Sequence, residues 1–246
     1  AIFVAIVICI SYGILVPGIQ ANTIATSFDT AFHFPPFVTG IIIVVLLALI
    51  IFGGIKRIAR VADKVVPIMA LAYVLLTIII LGANLSEIPG MLKLIVTSAF
   101  GTNEIFGGIV GAAIAWGVRR SVFSNVAGAG EATFSSAAAE VTHPAKQGLV
   151  QGFSIYIDTI IVCTATALMI LITGMYNVTP PGATTPLVEN VPGLVAGTAY
   201  TQAAVSTVFH NLGSSFVAIA IFLFAFTTLM AYYYIAETTI VYLDKK

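Results

Sequence analysis

Long stretches of this chain contain no charged side chain, and this pattern limits the possible folds more than any other feature. The first charged residue is Asp29, so residues 1–27 form one uninterrupted uncharged run. Only 8% of the residues are Asp, Glu, Lys or Arg, whereas a soluble domain has about 25%. Because so little charge cannot cover a globule that faces water on all sides, we predict an all-α polytopic membrane protein.

Apolar segments near the length of about 20 residues that a membrane-crossing helix needs recur along the sequence. The segment 174–193 is rich in Pro, Gly and Thr, which is typical of a loop. We expect residues 1–246 to form a single transmembrane domain. The predicted helices comprise residues 1–27, 38–53, 65–81, 148–173 and 216–243, a short piece at 201–209, and an interrupted segment at 105–117 and 132–139.

The basic residues indicate how the chain is oriented in the membrane. Four of them lie together between the second and third predicted helices, namely Lys56, Arg57, Arg60 and Lys64. Short basic connections stay in the cytoplasm, so this segment is predicted to be a cytoplasmic loop. Alternation of the helices then places Lys146 and the terminal Lys245 and Lys246 on the same side, whereas Arg119 and Arg120 resist a loop assignment.

The interrupted segment combines charge, backbone freedom and small polar side chains in the sequence "RRSVFSNVAGAGEATFSSAAAE", residues 119–140. Each glycine lowers helix propensity by about 1 kcal/mol relative to alanine. One interpretation is a discontinuous helix that lines a substrate site, because irregular backbone is tolerated at membrane depth beside a cavity. The other is an interfacial loop between two short helices, with Arg119 and Arg120 reaching the lipid headgroups.

Several long blocks resemble the alanine or glycine:cation symporter family, the sodium:alanine symporters. The longest is "GVRRSVFSNVAGAGEATFSSAAAEVTHPAKQGLVQGFSIYIDTIIVCTATALMILITGMYN", and "IQANTIATSFDTAF", "VTGIIIVVLLALIIFGGIKRIARVADKVVPIMA" and "FLFAFTTLMAYYY" are also similar, in the family's order. The resemblance implies a LeuT-like fold of two inverted five-helix repeats, in which the interrupted helix is the sixth. It also implies that the chain is an internal fragment, with further spans before and after it.

The function implied by the resemblance is sodium-coupled symport of a small neutral amino acid, alanine or glycine, across the plasma membrane by alternating access. The expected partners are the amino acid, the sodium ion as coupling ion and the lipid bilayer. No enzyme activity, other cofactor, resident metal or nucleic-acid partner is expected, and the formal net charge is zero. The alternatives are a proton-coupled or other-substrate transporter of the same fold, and an ion channel, although no repeated filter motif is visible.

The resemblance assigns the amino-acid substrate to residues on two predicted helices. Gln20 would hydrogen-bond the zwitterion, and the alternative is a hydrogen bond between helices. Asn125 and the backbone near Gly128 would bind its ammonium and carboxylate groups. The alternative for Asn125 is the N-cap of the following half-helix, since Asn is a preferred capping residue.

Three residues of the last predicted helix complete these assignments. Thr227 and Thr228 match a hydroxyl pair that binds sodium in LeuT-like transporters, with Thr228 also near the substrate. Without the resemblance, each hydroxyl would be expected to bond to the carbonyl one turn back. Tyr232 lies one turn beyond Thr228, where it would form an aromatic wall of the pocket.

The remaining candidates are charged and are assigned to gating or coupling. Glu131 departs from the family's usual pattern, in which an acidic residue stands at the position of Val126. Glu131 is expected to pair with Arg119 or Arg120, or to stabilise the start of the following half-helix, with proton exchange as the alternative. Asp158 lies deep in the helix at 148–173, where a carboxylate is costly. It could gate, pair with either arginine or relay a proton.

Overall fold

The computed structural model describes residues 2–99, 106–126, 128–179, 185–186 and 188–244, and these residues are mostly helical. The predictions that rest on Ile105, Ala127, Lys245 and Lys246 lie outside these residues. Two π-helical turns, Ser11–Leu15 and Ile157–Cys163, interrupt otherwise continuous helices. The α-helices are α1 (Ile2–Ile10), α2 (Val16–Phe32), α3 (Pro36–Ile51), α4 (Ile55–Ala83), α5 (Ile88–Ala99), α6 (Phe106–Asn125), α7 (Glu131–Ala138), α8 (Pro144–Tyr156), α9 (Thr164–Thr173), α10 (Thr198–Phe209) and α11 (Asn211–Asp244).

Four helical stretches of the described residues are long and apolar enough to cross a membrane, and α3 is a shorter apolar helix. The helical character of the predicted segments is confirmed, but the prediction missed several features. A 3₁₀ turn at Leu85–Glu87 leads into α5, which was not predicted, and two short antiparallel strands, β1 (Asn177–Val178) and β2 (Val188–Glu189), lie in the predicted loop. The four stretches are Ile2–Phe32, Arg57–Ala83, Pro144–Thr173 and Leu212–Asp244.

The basic cluster is helical, which corrects its assignment to a loop. Helix α4 begins at Ile55, ten residues before the predicted start, so Arg57, Arg60 and Lys64 lie in its first turns. Lys and Arg have high helix propensity. Their charge therefore ends the apolar run in the sequence without ending the helix.

The chain divides into two compact units, unit 1 (Ala1–Leu76 and Gly197–Lys246) and unit 2 (Thr77–Ala196). In unit 1, α2 packs along α11, and α3 and α10 pack against the same pair. Burial of large apolar side chains between these helices supplies the main favourable free energy. The core of unit 1 comprises Ile24, Ile43, Ile58, Ala225, Phe226, Leu229 and Met230.

Unit 2 contains the end of α4, helices α5 to α9 and both strands. Among its described residues, the buried apolar side chains are Ile80, Met169 and Ile172. Helix α7 packs on α8, and α6 contacts the π-helical turn Ile157–Cys163. The expectation of a single transporter domain stays a prediction.

Candidate functional site

The helix interruption is short and lies entirely in unit 2. Helix α6 continues through both arginines to Asn125, and α7 begins at Glu131. In the turn between them Val126, Gly128 and Gly130 have φ values of 48°, 87° and 81°. Glycine adopts this left-handed conformation readily, whereas it is unusual and strained for β-branched valine. The structure therefore places the interruption between Asn125 and Glu131 rather than at the arginines, and its role in lining a substrate site stays a prediction.

Asn125 ends α6, so its predicted alternative role as the N-cap of the next half-helix is wrong. Gly130 occupies that N-cap position. The Asn125 amide Nδ2 donates to the carbonyl of Ser121 at 3.1 Å, and its Oδ1 accepts from Thr159 Oγ1 at 3.0 Å. The amide thus caps the C-terminal turn of α6 and joins it to the neighbouring π-helical turn.

A second hydrogen bond beside the first ties the same two elements together. Ser124 Oγ donates to Asp158 Oδ2 at 2.7 Å, and it lies 3.8 Å from the sulfur of Cys163. Both Asp158 and Thr159 belong to the π-helical turn Ile157–Cys163. Such turns are often found at functional sites. Two consecutive residues of this turn therefore hold the last two residues of α6.

A cavity of about 260 Å³ lies next to this pair of hydrogen bonds. Its polar lining groups are hydroxyls, amides and one carboxylate, and it has room for an ion with several waters or for a small solute. Among the described residues of its wall, Asp158 is the one that carries a charge. The residues that line the cavity are Ser124, Asn125, Ala132, Gln151, Gly152, Ser154, Ile155 and Asp158.

The other charged candidates of unit 2 surround the break without pairing with Asp158. The guanidinium carbons of Arg119 and Arg120 each lie 5.6 Å from the centroid of the Trp116 ring, which is a cation–π distance. Glu131 is the first residue of α7. A carboxylate there interacts favourably with the positive end of the helix dipole, one of the two roles expected for it.

The candidates in unit 1 lie on two helices that pack together. Gln20 is half-buried on α2, one turn before the fully buried Ile24 of the core. On α11 the hydroxyls of Thr227 and Thr228 both donate to the carbonyl of Phe224, at 2.8 Å and 3.1 Å. This is the bonding expected without the resemblance. It uses the hydroxyl hydrogens and leaves oxygen lone pairs that can face a cation.

Tyr232 is buried inside unit 1 rather than at its surface. Its ring packs at 5.3 Å between centroids against Tyr12 of the π-helical turn Ser11–Leu15. Such tilted aromatic pairs contribute about 0.5–1.5 kcal/mol beyond the area they bury. Tyr232 is therefore positioned to support the helices that carry Gln20 and Thr228, and its role as a wall of the substrate pocket stays a prediction.

One polar residue that the sequence analysis missed joins three helices of unit 1. Gln202 of α10 is 2% exposed, and its Nε2 donates to the carbonyl of Ser27 on α2 at 3.0 Å and to that of Ser214 on α11 at 3.3 Å. A buried amide without partners would be costly, so these bonds secure α10. The sequence feature that could have revealed this residue is a glutamine among small apolar residues in a short predicted helix.

The whole sequence matches one family. The model of the sodium:alanine symporter family matches residues 1–246. The chain belongs to the sodium:alanine symporter family. Members of this family are transporters, which are not enzymes, and with its long apolar helices this chain is a multi-pass integral protein of the plasma membrane.

Three curated relatives show the range of names within the symporter family. A "sodium/proton-dependent alanine carrier protein" from Bacillus sp. (strain PS3) is 54% identical over 236 residues, which are 96% of this chain and 53% of the relative. A "probable sodium/glutamine symporter" from Bacillus subtilis is 40% identical, over 98% of this chain and 48% of the relative. A "sodium/alanine symporter" from Methanococcus maripaludis is 35% identical, over 92% and 47%. The chain thus spans about half the length of these relatives.

Proposed function

We propose that this chain forms part of a symporter that moves alanine or glycine into the cell with sodium by alternating access. The observation that carries the proposal is the broken helix α6–α7. Its positive-φ turn lies beside a polar cavity, and the end of α6 is tied to a π-helical turn by two side-chain hydrogen bonds. Membership of the sodium:alanine symporter family and relatives named as alanine carriers support this substrate and this coupling ion.

We further propose a LeuT-like architecture with inverted repeats, of which this chain supplies an internal piece. A helix that breaks and resumes after five residues supports this architecture, because discontinuous helices carry the substrate and ion sites of such transporters. The backbone N–H groups of Gly128 and Gly130, which lie in the turn between the two helices, are proposed partners for the carboxylate of a zwitterion, and alanine and glycine are the smallest amino acids.

The residues proposed to contact the substrate are Gln20, Asn125, Gly128, Thr228 and Tyr232. Thr227 and Thr228 are proposed to bind sodium through their oxygen lone pairs, since hard cations prefer oxygen ligands. Both hydroxyls already donate to a main-chain carbonyl, which fixes their side-chain orientation on α11. Glu131, Asp158, Arg119 and Arg120 are proposed to act in gating or coupling.

The decisive experiment measures alanine uptake into proteoliposomes that contain the full-length symporter, with and without a sodium gradient. We expect sodium-dependent uptake. Asn125→Ala should lower kcat/KM about tenfold or more, because it removes both bonds that order the end of the break. Thr228→Ala should raise the sodium concentration needed for half-maximal uptake.

Thr30→Ala is the matched control, because Thr30 makes the same bond to a carbonyl one turn back on an exposed part of α2. It should transport normally. Normal transport by both Asn125→Ala and Thr228→Ala would refute the assignment of these residues. Uptake that is independent of sodium but follows a pH gradient would instead favour a proton-coupled transporter, an alternative that the name of the Bacillus sp. relative also suggests.

A further inference from the structure

A stripe of basic side chains lies on one face of the first turns of α4. Arg57, Arg60 and Lys64 are all exposed, and residues three or four positions apart are neighbours on the surface of a helix. In the same turns Ile58 belongs to the core of unit 1, and Val61 packs against that core. The start of α4 is therefore amphipathic, with apolar side chains in the core and the basic stripe turned outward.

The basic stripe lies where two apolar helices end at the same surface of the membrane. Residues 52–54 join the end of α3 to the start of α4, and the stretch Arg57–Ala83 is long and apolar enough to cross a membrane. A connection this short keeps both helix ends at one surface. The positive-inside rule predicts that this is the cytoplasmic surface, where anionic lipids give the leaflet a negative potential.

The turn before the basic stripe carries an exposed aromatic side chain. Phe52 is 90% exposed. The aliphatic part of Arg57 lies over the next residue of the turn, because a Cβ added at Gly53 would collide with the Cδ of Arg57. The Arg57 side chain therefore runs back over the turn that carries Phe52. An apolar ring next to basic side chains is typical of helices that lie at an anionic lipid surface.

The charge of the basic stripe is not neutralised among the residues that the structure describes. Within that part of the chain, Arg57, Arg60 and Lys64 form no ion pair. Asp63 is the one acidic residue in the sequence of α4, and it is exposed. With Lys56, the first turns of α4 have a net charge of +3. A partner that presents several negative charges at the membrane surface is therefore favoured.

We propose that Arg57, Arg60 and Lys64 bind the phosphate headgroups of anionic phospholipids in the cytoplasmic leaflet, while Phe52 inserts among the acyl chains. Arginine presents planar N–H donors that match phosphate oxygens in pairs, and lysine adds a point charge. Bound lipid would hold the corner between α3 and α4 at the membrane surface. The site belongs to unit 1, and the inference does not depend on which ion or amino acid is transported.

The test measures lipid binding to the purified and delipidated full-length symporter by native mass spectrometry. Its probes are phosphatidylglycerol, which is anionic, and phosphatidylcholine, which is zwitterionic. We expect phosphatidylglycerol to bind more tightly. Arg57→Gln combined with Arg60→Gln should lower the affinity for phosphatidylglycerol about tenfold or more and leave that for phosphatidylcholine unchanged, because two positive charges are lost. Arg57→Lys combined with Arg60→Lys keeps both charges and should keep most of the affinity.

Lys93→Gln combined with Lys146→Gln is the matched control, because it removes the same charge from exposed positions on α5 and α8. It should bind phosphatidylglycerol like the unmodified protein. Equal binding of both lipids by the unmodified symporter, or unchanged affinity in the double glutamine variant of α4, would overturn the inference. Equal losses in that variant and in the control would overturn it as well, because they would reflect overall charge rather than a site on α4.

Discussion

The two units hold their polar residues in different ways. In unit 1 the candidate residues are neutral and lie on closely packed helices, with Tyr232 buried against Tyr12 and Gln20 one turn from Ile24. In unit 2 the charged candidates lie around a broken helix whose end is tied by the hydrogen bonds of Ser124 and Asn125, and the buried apolar side chains among the described residues are Ile80, Met169 and Ile172. Packing therefore fixes the first group, whereas polar contacts fix the second, and polar contacts respond more readily to an ion or a solute.

The largest expected difference between the units is in the unfolding free energy lost when a tyrosine is truncated to alanine. Tyr232→Ala removes a side chain that is 5% exposed, and truncations of buried aromatics cost about 3–5 kcal/mol of unfolding free energy. Tyr156→Ala in unit 2 removes one that is 63% exposed and should cost less than about 1 kcal/mol. Thermal unfolding of the full-length protein in detergent measures both. Equal losses would show that unit 2 is packed as tightly as unit 1.

A smaller difference in unfolding free energy is expected when two helical glycines, one in each unit, are replaced by alanine. A Cβ added at Gly213 would lie 2.6 Å from the backbone nitrogen of Ser206, so Gly213→Ala should push α10 and α11 apart at a cost of about 1–3 kcal/mol. A Cβ at Gly148 of α8 has no atom within 4 Å. Gly148→Ala should therefore stabilise its helix by up to about 1 kcal/mol. The same unfolding measurement applies, and a stabilised Gly213→Ala variant would contradict the close helix contact.

The smallest expected change in unfolding free energy is for Val126, the strained residue in the turn between α6 and α7. Val126→Gly removes a β-branched side chain from a left-handed conformation that costs about 1–2 kcal/mol, and the greater flexibility of glycine in the unfolded chain offsets part of the gain. A net stabilisation of about 0.5 kcal/mol is expected. Val122→Gly, within regular helix α6, should instead destabilise by about 1 kcal/mol. Destabilisation by both variants would mean that Val126 is not strained.

Local sequence patterns predicted much of the helical architecture and the presence of an interruption near residues 119–140. They misjudged details that depend on neighbours in the chain or in space. The basic start of α4 was taken for a loop because its charges ended the apolar run, and the break was placed too widely because glycine content alone does not show which residue leaves the helix. Asn125 has the residue type of an N-cap, but its partner Thr159 lies 34 residues away.

The sequence by itself determined that this chain resides in a membrane and that its helices are long enough to cross one. This follows because uncharged runs and the cost of unpaired backbone groups in lipid are properties of each segment alone. Only the tertiary structure decided which polar groups meet. Ser124 contacts Asp158 across 34 residues and Gln202 contacts Ser27 across 175. Such pairs depend on how the helices pack, and no local pattern of hydrophobicity encodes that.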